Sequence, residues 1–145
     1  MPAPTHANLE ISIDPTADQV RAMRDADQDA PVVMLNLLKF RDKALYPEGS
    51  GLSAPNGMAA YKRYQLAFTE TVAAVSCAEV VYDGPCEQVF IGALGAPETD
   101  WDKMLIVRYP ARKHFLAMMA DSAYRAALVH RYAGLERTVL IQCAG

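Results

Sequence analysis

Two stretches of this chain are apolar on both sides of an extended backbone. The first, Val32-Val33-Met34-Leu35-Asn36-Leu37-Leu38-Lys39-Phe40, lies between Pro31 and the charged Arg41-Asp42-Lys43. Its length and its boundaries predict a strand. Alternation places Val33, Leu35 and Leu37 on one face and Met34, Leu38 and Phe40 on the other. A strand with one wet face reads apolar-in and polar-out, so this one predicts burial on both sides. Trp101 to Tyr109 repeats the anomaly, with Leu105 and Val107 on one face and Met104 and Ile106 on the other.

Shorter signals predict the remaining elements. Leu9 to Ile13 alternates, as a short strand or an extended lead-in. Asp14-Pro15 predicts an N-cap and first helical position, with Val20 and Met23 as the inward stripe of that helix. Residues 44–56 carry Pro47, Gly49, Gly51 and Pro55 and predict an irregular loop. At thirteen residues it has the length of a lid or binding segment. Met58, Tyr61, Gln65, Phe68, Val72 and Val75 recur at three- and four-residue steps, which predicts one helix from Met58 to Val75. Glu79 to Tyr82 reads as a strand, Asp83-Gly84-Pro85 as a turn, and Gln88 to Leu94 as a second strand piece. Pro110 stops the Trp101 strand and opens a helix with Phe115, Met118 and Met119 inward. Asp121-Ser122 recaps the chain for a helix over Ala123 to Tyr132, with Gly134 as the residue just beyond its end. Thr138 to Ile141 is the last strand.

That order, a helix followed by β-α-β-β-α-β, predicts an α+β ferredoxin-like fold: a four-stranded antiparallel sheet with helices on one face and an extra N-terminal helix. A flexible tail is expected over residues 1–8 and a single domain over 9–145. Helices cover only one sheet face, so the second apolar face needs another partner. The same face of a second copy is the simplest, which predicts a homodimer through the sheet. At about 25 cal/mol per Å² of apolar surface, a patch of that size contributes several kcal/mol.

Composition narrows the partners. The chain has 145 residues, enough for one core, with 52% hydrophobic and 21% charged residues and a net charge of −3. A weakly acidic chain without a Lys/Arg cluster has no electrostatic grip on phosphate backbones, so no nucleic acid is expected. No secretory signal and no apolar run of membrane-spanning length is apparent, and a cytoplasmic protein without a membrane partner is expected. Cys77, Cys86 and Cys143 lack CxxC spacing. They read as reduced thiols, with a Cys77–Cys86 bridge as an alternative. No metal-ligand spacing or Gly-rich phosphate loop occurs, so neither metal nor cofactor is expected.

Several blocks then carry a resemblance. Asn36-Leu37-Leu38-Lys39-Phe40-Arg41, the helix with Tyr61 and Tyr64, Trp101-Asp102, and Arg108-Tyr109-Pro110-Ala111-Arg112 with Phe115 and Met118 occur in order, followed by Asp121, Tyr124 and Arg131. Together, from Pro31 to the C-terminus, they resemble the domain of unknown function 1330 family of the dimeric α+β-barrel superfamily. The resemblance implies that two sheets pack into one shared barrel. Members of the superfamily include cofactor-free monooxygenases, small lactone isomerases, haem-dependent enzymes and ligand-binding regulators, so the fold leaves the reaction open.

Asn36 is the one residue of its strand that burial does not explain. It serves either as a donor to a substrate oxygen or enolate in a cavity between sheet and helices, or as an amide satisfied by backbone or water. Tyr61 and Tyr64, three apart on one helix, could present hydroxyls to one pocket or simply pack. Arg131, near the register of Tyr124, is either half of a structural ion pair or a bidentate anchor for a carboxylate. Lys39 could snorkel or meet an anionic substrate, and Trp101 could stack on an aromatic one or cap the strand. His114 and His130 are the acid–base candidates. The leading expectation is a cofactor-independent enzyme for a small aromatic or keto-acid-like substrate. Asn36, Tyr61 and Arg131 would be catalytic, and Lys39, Tyr64, Trp101, Tyr124 and His114 would bind substrate. The alternative is a non-catalytic ligand-binding or assembly dimer.

Overall fold

The computed structural model describes residues 13–145. The tail expected over 1–8, and all but Ile13 of the lead-in expected over Leu9 to Ile13, lie outside them. β1 (Val32–Phe40) is central, as its two apolar faces require. It pairs antiparallel with β3 (Lys103–Tyr109) on one side and with β4 (Leu135–Ala144) on the other. β2 (Glu79–Pro85) completes the sheet beside β3, giving the order β2-β3-β1-β4. This is the ferredoxin-like arrangement expected from the pattern.

The helices are α1 (Ala17–Asp25), α2 (Gly57–Ala67), the short α3 (Ala73–Ser76), α4 (Arg112–Ala120) and α5 (Ser122–Gly134). They cover the sheet face that carries Met34, Leu105 and Val107, which pack with Met23, Phe115 and Met118 of the helices. The face that no described helix covers, the uncovered face, carries Leu35 flanked by Ile106 and Ile141, and Leu37 flanked by Met104 and Val139. Ile141 is 48% exposed there. No helix among the described residues is long and apolar enough to cross a membrane.

Five details differ from the pattern-based expectation. The first helix is capped by Thr16, in a reciprocal capping box with Gln19, and not by Asp14, because Thr16 and Gln19 have the three-residue spacing such a box needs. The helix from Met58 is not uniform: a π-helical turn, Phe68–Val72, separates α2 from α3. Within it the Thr69 hydroxyl donates to the Gln65 carbonyl at 3.0 Å and competes with the helical ladder. Asp83-Gly84-Pro85 is no turn, since it continues β2 along β3 with a bulge at Val80/Tyr82. That pairing occupies β3 from Lys103 to Arg108, so Gln88 to Leu94 cannot pair with β3 and is loop. Trp101 likewise precedes β3. Its loop displays Phe90 and Ile91 at 88% exposure and Leu94 at 80%.

The fifth detail is Gly134. The pattern puts it just beyond the helix, yet it ends α5 itself and is not among the residues with positive φ. Its reason is closeness. A Cβ there would lie 2.6 Å from the Gly57 carbonyl oxygen and 2.9 Å from the Tyr61 nitrogen. A Cβ on Gly57 would meet the Arg41 and Gly134 carbonyl oxygens at 2.4 and 2.5 Å. At this junction the Arg41 N–H donates to Gly134 O and the Gly57 N–H to Arg41 O. Two glycines thus let the start of α2, the end of α5 and the end of β1 meet, which aims Tyr61 at the sheet.

Candidate functional site

Asn36 interrupts the helix-covered face of β1 and divides the core. Val32 and Met34 belong to one apolar cluster with Phe115 and Met118, while Leu38 and Phe40 belong to another with Tyr61 and Leu135. A cavity of about 90 Å³ lies at the seam, bordered by Asn36, Tyr61, Tyr64, Tyr109, Tyr124 and Arg131. Among the described residues, Arg131 is the one charged side chain on that wall.

The Asn36 amide nitrogen donates to the carbonyls of Met34 (3.3 Å) and Leu105 (3.1 Å). Both bonds require nitrogen at that end, so the group offers the cavity only its acceptor oxygen, where an oxyanion donor was expected. Tyr61 is 3% exposed, and its hydroxyl bonds to no described residue. Its ring packs against Phe40 and Tyr64, with centroids 5.5 and 5.3 Å away. Burial pushes its phenol well above the ordinary range, only partly opposed by the charge of Arg131. The Tyr64 hydroxyl donates to Tyr124 at 3.4 Å, and burial raises its phenol as well. Both tyrosines therefore stay protonated at neutral pH and keep a proton to donate.

Arg131 projects from α5 with its side chain 15% exposed. Its nearest anionic partner is the Asp14 carboxylate at 3.6 Å, beyond hydrogen-bond range. Asp14 itself accepts from Tyr132 at 3.0 Å, and burial, with that bond and the nearby carboxylate, pushes the Tyr132 phenol up to about 12.

The other expected site residues lie elsewhere. Lys39 is on the uncovered face, where it pairs with Asp100 (3.1 Å) and Asp102 (3.5 Å); the Asp100 bond chiefly holds its amine above the usual range. Trp101 donates to Glu98 O at 2.7 Å and lies under the Arg137 guanidinium, 4.7 Å from the ring centroid. These residues clamp the loop ahead of β3. His114, on α4, borders neither the cavity nor the larger cleft beside it. Tyr109, which the pattern reading left as a strand residue, joins the wall. Its inward register with Leu105 and Val107 was the available signal. Cys77, Cys86 and Cys143 are free thiols, and no group of three or more His, Cys, Asp or Glu among the described residues could hold a metal ion.

The loop over residues 44–56 borders neither space, contrary to a lid role. It is strapped to α5 and α2 instead: Tyr46 OH lies 2.7 Å from His130 Nδ1, and Arg63 donates to Ser53 O at 2.6 Å and to Tyr46 OH at 3.4 Å. With Arg63 donating to it, the Tyr46 hydroxyl keeps its own proton available for Nδ1 of a neutral imidazole. Desolvation first, and then the Arg63 charge, lower the His130 pKa. A depressed imidazole favours the neutral folded form. The contribution is complete above the unfolded value near 6.5 and is lost as pH falls through the folded value. Wild-type protein should therefore lose thermal stability between pH 7.5 and 5.5 relative to His130→Asn, whose amide oxygen still accepts. Equal pH slopes in the two melting series would refute this role.

Comparison with known proteins supports this fold. Two crystal structures of the RPA0582 protein, a protein of unknown function from Rhodopseudomonas palustris, are 32% identical to this chain. One, of the methylated protein, superposes with a TM-score of 0.80 over 92% of this chain and 93% of that one. The other gives 0.79 over 92% and 95%. A dimeric protein of unknown function and ferredoxin-like fold from Bacteroides fragilis matches at 14% identity and a TM-score of 0.51, over 83% of this chain and 100% of that one, a likeness of fold alone. No protein-family model and no curated protein matches the sequence. At 32% identity across nearly the whole of both chains, this chain belongs to the family of the RPA0582 protein.

Proposed function

We propose that the protein is a cofactor-independent enzyme acting on a small aromatic or keto-acid-like substrate in the cavity between sheet and helices. The reaction classes that fit are isomerisation, lyase or hydratase chemistry, and monooxygenation. One observation carries this reading: Asn36, Tyr61 and Arg131 border the same space at the seam of the core. Arg131 would hold a developing oxyanion, Tyr61 would donate a hydrogen bond to it, and the Asn36 oxygen would accept from a substrate hydroxyl. Tyr64 and Tyr124 would orient the substrate through their shared bond. Such interactions gain strength where apolar walls keep water away.

The test begins with native mass spectrometry to identify co-purified ligand. On the substrate so found, Tyr61→Phe is expected to lower kcat on the order of 100-fold. Unchanged turnover in both Tyr61→Phe and Asn36→Ala would overturn the roles. One observation favours the second reading, a non-catalytic ligand-binding or assembly dimer: the Asn36 amide nitrogen bonds only to backbone.

We also propose that this family is a branch of the domain of unknown function 1330 family, supported by the ordered blocks from Asn36 to Arg131. A homodimer through the sheet face, in the cytoplasm, completes the reading. Its supports are the Leu35-Ile106-Ile141 row on the uncovered face and the dimeric state named for the Bacteroides fragilis neighbour. Phe90, Ile91 and Leu94 would extend that surface, because Lys39 and Arg137, which hold their loop, belong to the same face.

A further inference from the structure

Arg131 borders two spaces. Besides the tyrosine cavity it lines a cleft of about 680 Å³ between α1, the α4–α5 pair and β4. Met34, Phe115, Tyr124 and Leu140 are walls of both, so the two spaces meet at Arg131. The volume falls within the range of small-molecule sites, which runs from about 300 to 1,000 Å³. The cleft wall is mostly apolar, with Val20 and Met23 from α1 and Leu116, Met119 and Leu128 from the α4–α5 pair. Among the described residues its charged groups are Asp14, Arg125 and Arg131, a positive balance.

The guanidinium itself is poorly served by the protein. It has five N–H donors in a planar fork. None reaches a hydrogen-bond partner among the described residues, and the carboxylate at 3.6 Å belongs to an Asp14 side chain that is 52% exposed. Burying a guanidinium is costly unless its donors are matched. A carboxylate arriving along the cleft could take the fork bidentately, an arrangement that Asp14 does not reach. Its oxygens would then lie where the two spaces meet, at the mouth of the tyrosine cavity.

We propose that the joined cavity and cleft take a monocarboxylate with an apolar aryl or alkyl body, its carboxylate on Arg131 and its body along the cleft walled by α1. The inference rests on the reading of the cavity as a ligand site, and it adds the ligand's class and orientation. In it Asp14 is a weak internal counter-ion that the ligand's carboxylate replaces.

Isothermal titration calorimetry with 4-phenylbutyrate and its methyl ester tests this on the full chain. The acid is expected to bind at least about tenfold more tightly than the ester, because only the acid supplies a charge-assisted pair. Arg131→Met should remove that difference, and Arg131→Lys, which keeps charge without the fork, should retain part of it. Circular dichroism and melting curves confirm that both variants fold. Leu128→Trp narrows the cleft on the apolar wall one helical turn before Arg131 and should weaken the acid about tenfold. Asp14→Asn should tighten it roughly twofold to fivefold, the scale of a partly exposed ion pair. Equal affinity for acid and ester, no binding to the wild type, or affinities unchanged by Arg131→Met and Leu128→Trp would each overturn the proposal. Failure here is separable from failure of the enzyme reading. Arg131-dependent binding without turnover of any acid removes the enzyme and keeps this site. Turnover of a neutral substrate, independent of Arg131, does the reverse.

Discussion

Leu35→Glu is expected to raise the dissociation constant of the proposed dimer at least about a hundredfold, leaving monomer at micromolar concentration. Leu35 sits at the middle of the uncovered face, directly between Ile106 and Ile141. A carboxylate there would have to lose its water on association, with only aliphatic neighbours to receive it. The penalty falls on both copies, because a twofold interface presents each substitution twice. The monomer should remain folded, since Leu35 contributes nothing to the clusters on the helix-covered face. Sedimentation equilibrium of wild type and variant decides the matter. A wild type that is already monomeric at micromolar concentration would sink the dimer, and a variant that stays dimeric would move the interface off this face.

The second large effect is expected at the glycine junction. Gly134→Ala and Gly57→Ala should each destabilise by about 3 kcal/mol, because the new methyl meets backbone atoms that cannot rotate away. In a chain of this size that lowers the melting temperature by roughly 10 °C. Gly49→Ala and Gly51→Ala are the controls. Their φ values of 80° and 74° make a side chain strained, yet nothing lies within 4 Å of the added carbon. Each should cost about 1 kcal/mol, the left-handed penalty alone. If all four variants melted together, closeness at the junction would be refuted. A Gly134→Ala protein that still folds should also show altered ligand binding, because the contact it disturbs is the one that seats Tyr61.

The site was partly legible in advance for a specific reason. Asn36 stood out because a strand with apolar neighbours on both faces has no routine use for an amide. Tyr61 and Tyr64 followed from the helical period that puts residues three apart on one side. Lys39 and Trp101 were misplaced because each is near Asn36 in sequence or sheet, but pleating sends Lys39 to the opposite face, and β3 begins only after Trp101. Their partners Asp100, Glu98 and Arg137 lie across the sheet or within a loop, where no periodicity applies. Gln88 to Leu94 has a strand's composition, but a strand exists only where a neighbour has free hydrogen-bonding groups, and β2 had already taken those of β3.

By itself the sequence determined the element order and the two-faced strands at the sheet centre, both of which depend on local periodicity and residue type. Tertiary structure alone decided that Asn36 divides the core, that Arg131 meets the tyrosines at that division with its donors unmatched, and that Gly57 and Gly134 touch. Those relations join residues far apart along the chain. They arise from how helices of particular length and capping dock on a twisted sheet, a property of packing that no local pattern encodes.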